Sequence, residues 1–324
     1  MQLSIVSTLY RSATHLEEFH RRISAAAGSV TGDYEIILVN DGSPDESLAI
    51  ALDLLARDAH VRVVDLSRNF GHHKAMMTGL ACARGELVFL IDSDLEEEPE
   101  LLTTFVETRR QTQADVVHGV QASRRGGLAE RIGGWLFFKL FNLLSATPIP
   151  PNLVTVRLMT RRYVSALVQH RERETMIAGL WTITGFHQVP VVVNKHTRAR
   201  STYGLGHKLA ILVNSVTAFS DRPLVFIFYL GSLIVMLASA AAAYLMIRRL
   251  FFGELLAGWP SLIVSVWLLG GLTLFSVGII GIYLSKVFLE TKQRPYTIIR
   301  AIHERTEPDS QAVTDSRDSR PVLL

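Results

Sequence analysis

The chain has 324 residues, 48% of them hydrophobic, and a mean hydropathy of +0.25. That is high for a soluble protein, and the length is enough for one sizeable α/β domain plus further elements. A net charge of +3 is too weak to point to nucleic acid but suits an anionic membrane surface or phosphate-bearing ligands, and the single cysteine, Cys82, excludes an internal disulfide framework and fits a reducing compartment.

The N-terminus, MQLSIVSTLYRS, lacks the basic region and long apolar run of a signal peptide. Over the first 120 residues, short runs rich in Val, Ile and Leu alternate with helical patterns. The predicted strands are Leu3–Ser7, Tyr34–Asn40, Val61–Asp65, Glu86–Ile91 and Asp115–Val120. The predicted helices are His15–Ala27, Asp45–Asp58, His72–Ala83 and Glu98–Arg110. Alternation at these lengths implies βαβ units and a mostly parallel sheet. In such sheets ligands bind beyond the carboxyl ends of the strands. Three polar clusters fall there: Asp41-Gly42-Ser43, Ser67-Arg68-Asn69 and Asp92-Ser93-Asp94.

Further along, Leu128–Ala146 is apolar with few charges, and Lys208–Ser220 carries Leu209, Leu212, Val213, Val216 and Phe219 on one helical stripe. Each reads either as a core-packed helix or as an amphipathic helix in a membrane interface. Leu224–Ile247 and Pro260–Leu284 are uncharged runs, each longer than the roughly 20 residues that cross a hydrocarbon core. The short link RRLFFGELLAGW makes them a helical hairpin. Basic residues flank its outer ends, Lys195, Arg198, Arg200, Lys208 and Arg222 before and Lys286, Lys292, Arg294 and Arg300 after. The positive-inside rule then puts both termini in the cytoplasm. The polar stretch after Ile302 reads as a disordered tail.

Asp92 and Asp94, one residue apart after the apolar run ELVFLI, can hold a divalent cation; Mg2+ and Mn2+ favour such oxygen ligands and bridge to phosphates. The same acids also read as a solvated loop capping the next helix, with Glu96, Glu97 and Glu98 at its N-terminus. Gly42 permits a sharp turn, and Asp41 can accept hydrogen bonds from a base or ribose, or else the segment is a turn with Ser43 or Asp45 as helix cap. Ser67 and Arg68 open the third cluster; Arg68 can pair with phosphate, and a helix starting near Gly71 offers free N–H groups to an anion.

In order, the blocks IVSTLY, EIILVNDGSPDES, LSRNFGHHKAMMTGLACARGELVFLIDSDLEEEPE and VRLMTRR, with the terminal hairpin, resemble a family 2 glycosyltransferase of the GT-A fold. The closest likeness is to polyprenyl-phosphate glycosyltransferases related to dolichol-phosphate mannose synthase, and it covers roughly residues 1–290. The resemblance implies an α/β fold, a Rossmann-like mixed sheet with interfacial helices and a C-terminal two-helix transmembrane hairpin. It implies a catalytic domain over residues 1–200, an amphipathic juxtamembrane segment over 201–222, two transmembrane helices over 223–286 and a partly disordered cytoplasmic tail over 287–324. Thr8, Leu9, Tyr10 and Asp41 would line the nucleotide pocket. Asp92 would meet donor sugar or ribose, Asp94 the metal-diphosphate, and Arg157 a phosphate. Arg124, Arg131, Arg200, Ser201 and Tyr203 would handle the lipid phosphate.

The implied reaction is a single displacement with inversion, using a UDP-sugar or GDP-sugar, Mg2+ or Mn2+, and a polyprenyl (undecaprenyl) phosphate at the cytosolic face of the inner cell membrane. Relatives often assemble as homotetramers. The chain departs from the family pattern at Glu96, where Gln is usual, at Asn152 and Thr155, where acidic residues are usual, and at Thr202, where a basic residue is usual. The missing carboxylate leaves the protein-supplied base open, with Glu96 as a candidate substitute carboxylate and catalytic residue. A phosphate acceptor is largely a dianion at pH 7 and does without one, whereas a sugar hydroxyl needs help. Two rival readings are transfer to a sugar hydroxyl of a lipid-linked glycan and a non-catalytic membrane scaffold; intact Asp92 and Asp94 count against the second.

Overall fold

The computed structural model describes residues 1–121, 152–170, 172, 177–194, 222–252 and 258–305. Two compact units emerge, one built on a sheet and one on two long helices.

In the first unit β1 (Leu3–Leu9), α1 (Leu16–Val30), β2 (Tyr34–Asn40), α2 (Ser47–Arg57), β3 (Val61–Leu66), α3 (His72–Cys82), β4 (Leu87–Leu90), α4 (Leu101–Thr112) and β5 (Val116–Gln121) alternate as expected. Then come β6 (Leu153–Thr160), α5 (Arg161–Leu167), α6 (Ile177–Ile183), β7 (Gln188–Val193) and, much later, β8 (Ile299–His303). The eight strands lie in the order β7-β5-β6-β4-β1-β2-β3-β8. Four pairs are parallel, β1–β2, β1–β4, β2–β3 and β5–β7. The other three, β4–β6, β5–β6 and β3–β8, are antiparallel. The sheet is therefore mixed. The expected parallel core is present, and β6 and β8 run against it.

β1, β2 and β3 are buried along their whole length. Strands covered on both faces read as continuous apolar runs, which is why they were visible in the sequence. On one face Leu3, Ile5, Leu9, Ile36 and Leu38 join Leu16 and Phe19 of α1 and Phe105 of α4 in the core. On the other, Gly79 brings α3 down onto the sheet. A Cβ there would sit 2.5 Å from Val6 Cγ1 and 2.7 Å from Val39 Cγ2. Strand side chains alternate between faces, so Thr8, two residues beyond Val6, also points to the α3 side. Under the opposite end of the sheet, buried Glu35 pairs with Arg62 at 2.7 Å and accepts from the Ser4 hydroxyl and the Arg84 amide. Those extra donors are what make a buried ion pair tolerable.

The segment after residue 287 is not simply a tail. Ile299–His303 pairs with β3 and seals the sheet edge. Ser67 N–H donates to Ile298 O (2.9 Å), and the Thr78 and Thr297 hydroxyls meet at 2.8 Å.

The second unit holds α7 (Arg222–Phe252) and α8 (Trp259–Thr291), so the second helix runs past the expected end at 286. Arg222–Ala241 and Ser265–Thr291 are each long and apolar enough to cross a membrane. Their apolar side chains stand exposed, Trp267 by 79% and Leu274 by 75%, unlike those of a soluble core helix. The stretches Leu128–Ala146 and Lys208–Ser220 lie outside the described residues.

Candidate active site

The carboxyl ends of β1, β2, β3 and β4 bring Thr8, Asp41, Ser67 and Asp92 to one edge of the sheet. The turn after β2 and the loop after β3 are locked together. Gly42 has φ +59, and a Cβ on it would meet Asn69 N at 2.5 Å and Arg68 C at 2.6 Å, so only glycine fits. Asp41, 2% exposed, accepts from the Phe70 amide through Oδ1 (2.7 Å) and from the Gly71 amide through Oδ2 (3.0 Å). Burial raises its pKa above the ordinary carboxylate value, and the two amides offset part of that rise. Asp41 thus shapes the loop that starts α3.

That loop delivers His72, the first residue of α3, into the site. Thr8 Oγ1 lies 3.0 Å from His72 Nδ1, and His72 Nε2 lies 3.4 Å from Asp92 Oδ1. Ser93, buried, places its hydroxyl 2.9 Å from the Thr8 carbonyl oxygen and 3.0 Å from Ser12 Oγ. The acidic loop is therefore tied to the end of β1 twice. Asp94 is exposed and accepts from the Glu96 amide at 2.9 Å, which curls the loop so that Leu95 takes φ 59. Glu96 is half-buried, whereas its neighbour Glu97 is fully buried.

The remaining expected residues divide. Tyr10 is exposed at the mouth of β1, with the Arg11 guanidinium 5.7 Å from its ring centre. Arg68 is exposed, stacks over Phe70 at 4.1 Å and donates to the Asn69 carbonyl at 2.9 Å. Ser67 takes part through its backbone, its carbonyl accepting from Arg300 at 2.7 Å. The Leu9 side chain lies in the core, because β1 alternation turns it to the α1 face. Arg157 is 1% exposed, lies over the Trp181 ring and donates to the Thr155 and Val154 carbonyls, both at 3.2 Å. Burial pushes it down to about 9 against the opposing pull of Tyr163 and Glu97. It braces β6 from within. His118, its neighbour in register on β5, is pushed down to about 4 by burial and by Arg157, and so is neutral at pH 7. Arg124, Arg131, Arg200, Ser201 and Tyr203 lie outside the described residues.

His72 and Ser93 escaped the reading of the sequence. Both stood inside quoted blocks, and the available signal was a polar side chain directly after a strand-end turn.

Asp92 and Asp94 offer hard oxygen donors of the kind Mg2+ and Mn2+ take. Among the described residues no group of three acidic, His or Cys side chains converges on a metal position. The donor set therefore fits a cation that is completed by a ligand's phosphates, the usual arrangement for Mg2+.

Residues 4–167 match the Glycosyl transferase family 2 profile. A Mycobacterium tuberculosis protein assigned as a glycosyltransferase is 58% identical over 94% of this chain and 89% of its own. An uncharacterized Synechocystis glycosyltransferase is 33% identical over 92% of this chain and 95% of its own. The SfII prophage-derived bactoprenol glucosyl transferase of Shigella flexneri is 31% identical, with 94% and 99% covered. Profile, relatives and the strand-end acids agree: the chain is a glycosyltransferase of family 2, with a GT-A-like mixed sheet.

Proposed function

We propose that the protein transfers a sugar from a UDP-sugar, or a GDP-sugar, to a polyprenyl phosphate at the cytosolic face of the inner membrane. The observation that carries this reading is one chain holding Asp92 and Asp94 at the strand ends and two exposed, membrane-length helices. The likeness to a bactoprenol glucosyl transferase over nearly its whole length supports the lipid acceptor.

In this reaction an acceptor phosphate oxygen attacks the anomeric carbon from the face opposite the leaving group. The bond from that carbon to the donor's diphosphate oxygen breaks, and the nucleoside diphosphate departs with the electron pair. Configuration inverts. Asp92 and Asp94 would hold Mg2+ or Mn2+, which neutralises charge gathering on the departing diphosphate. Arg68 would pair with a diphosphate oxygen. Thr155 supplies no carboxylate, and a phosphate dianion needs no base there. Asp41 and the exposed Tyr10 border the space for the base and ribose.

β8 supports the orientation. The chain before α7 and the strand after α8 complete one and the same sheet, so both ends of the hairpin face the same side. The basic flanks then favour the cytoplasm.

The test is transfer of radiolabel from a panel of UDP- and GDP-sugars into organic-extractable lipid. Purified protein, undecaprenyl phosphate and Mg2+ or Mn2+ complete the reaction. Label from one donor, lost on adding EDTA, is the expected result. Folded protein that labels no lipid from any donor would overturn the reading.

A further inference from the structure

His72 is held from three directions. Asp41 pins the amides of Phe70 and Gly71, the two residues before it, which fixes where α3 begins. Gly79 seats the same helix on Val6 and Val39, which fixes its height above the sheet. The imidazole then spans from Thr8 Oγ1 at 3.0 Å to Asp92 Oδ1 at 3.4 Å. The second distance is close enough for charge attraction and long for a hydrogen bond.

Each ring nitrogen serves one contact. Nε2 faces the Asp92 carboxylate at ion-pair distance, and Nδ1 meets the Thr8 hydroxyl at hydrogen-bond distance. Thr8 in turn grips the acidic loop a second time, through its carbonyl and the Ser93 hydroxyl. Two successive residues of that loop, Asp92 and Ser93, are thus referenced to one residue of a fully buried strand. A carboxylate at a strand end otherwise swings freely about its side-chain torsions. Here one of its oxygens is engaged by the ring, and the other is left for the donor.

We propose that His72 is a positioning residue for the transfer reaction. It fixes the Asp92 carboxylate against Thr8, so that the acid pair meets the donor's diphosphate in a single geometry. The inference rests on the reaction proposed above and concerns a residue outside the acidic motif itself. His72 touches Asp92 through Nε2 only, which makes the two ring nitrogens separable by substitution. In His72→Gln a side-chain amide nitrogen takes the place of Nε2 and keeps the Asp92 contact. In His72→Asn the amide falls at Nδ1 and keeps only Thr8.

The experiment measures two quantities for the full chain in detergent: Mn2+-dependent affinity for UDP and GDP by calorimetry, and kcat and KM for transfer. For whichever nucleotide the wild type binds, His72→Asn should weaken Mn2+-dependent binding and lower kcat by about fivefold or more, the scale of a charged contact at a partly exposed site. His72→Gln should stay within about twofold of wild type on both measures. Thr8→Val, which removes the hydroxyl and keeps the shape, should fall between them. Two variants that both behave as wild type would overturn the proposal. So would two variants equally impaired, since that would mean His72 merely starts the helix. A wild type that binds the nucleotide but labels no lipid would sink the reaction, while the binding comparison still decides the role of His72.

Discussion

Arg300 of β8 reaches Asp65 of β3 across the sheet edge, NH1 to Oδ2 3.2 Å, while Asp65 Oδ1 accepts from the Asn40 side chain at 2.7 Å. Asn40 continues the chain of contacts, since its Oδ1 accepts from the Ser43 amide at 3.1 Å in the turn that follows β2. The C-terminal strand is thereby linked to the turn beside the proposed nucleotide pocket. Arg300→Ala removes a half-exposed partner and should cost no more than about 1 kcal/mol. Asp65→Ala leaves the buried Asn40 amide without its acceptor and should cost about 2 kcal/mol. Urea unfolding of the two variants in detergent checks the ordering.

Asp45 supplies a pH-dependent test of the same turn. Its carboxylate accepts from the Ser43 and Ser47 hydroxyls and from the Ala13 and Ser47 amides. Partial burial raises its pKa, yet these donors prevail and hold it at about 2, below an ordinary value of 3.8. A depressed folded pKa gives stability that is present above the unfolded value and lost as pH falls through the folded one. Because the group is largely solvated, the contribution is about 1 kcal/mol after screening. Asp45→Asn should therefore unfold at a lower temperature at pH 7. Its difference from wild type should shrink between pH 4 and pH 2, the window between those two values.

Asp94 is exposed, so its removal separates chemistry from folding. Asp94→Ala should keep the wild-type unfolding temperature and lose about 100-fold or more in kcat, as expected when a stabiliser of transition-state charge is deleted. Full activity with donor bound would remove Asp94 from the reaction.

Arg157 should behave in the opposite way. Arg157→Ala leaves a void beside Trp181 and strips Glu97 of a positive neighbour, at a cost of about 3 kcal/mol. Tryptophan fluorescence during denaturant unfolding reads the loss directly.

The parallel core was legible because β1, β2 and β3 are covered on both faces, and such strands appear as unbroken apolar runs. β8 was not legible. Its IRAIH pattern is half-exposed, alternates in burial and follows a membrane-length helix, so locally it resembles a polar tail; only pairing with β3 makes it a strand. Within the site, Asp41, Asp92 and Asp94 announced themselves by type and position. The link from Thr8 through His72 to Asp92 joins residues 64 apart in the chain at its first step, and no local pattern carries that. The burial of Arg157 was hidden for the same reason, since Trp181 covers it from a different element.

β8 is the last of the described strands to leave the ribosome. On the proposed topology it can reach β3 only after both helices of the hairpin have crossed the bilayer and the chain has come back. Until then β3 presents a row of unpaired amides and carbonyls, the kind of edge that recruits other chains. A nascent protein that inserts one helix and not the other strands residues 299–303 in the wrong compartment and stays unsealed. On that topology, maturation of the sheet unit would be conditional on correct insertion of the hairpin, and misinserted copies would carry an unsealed edge as a mark for quality control.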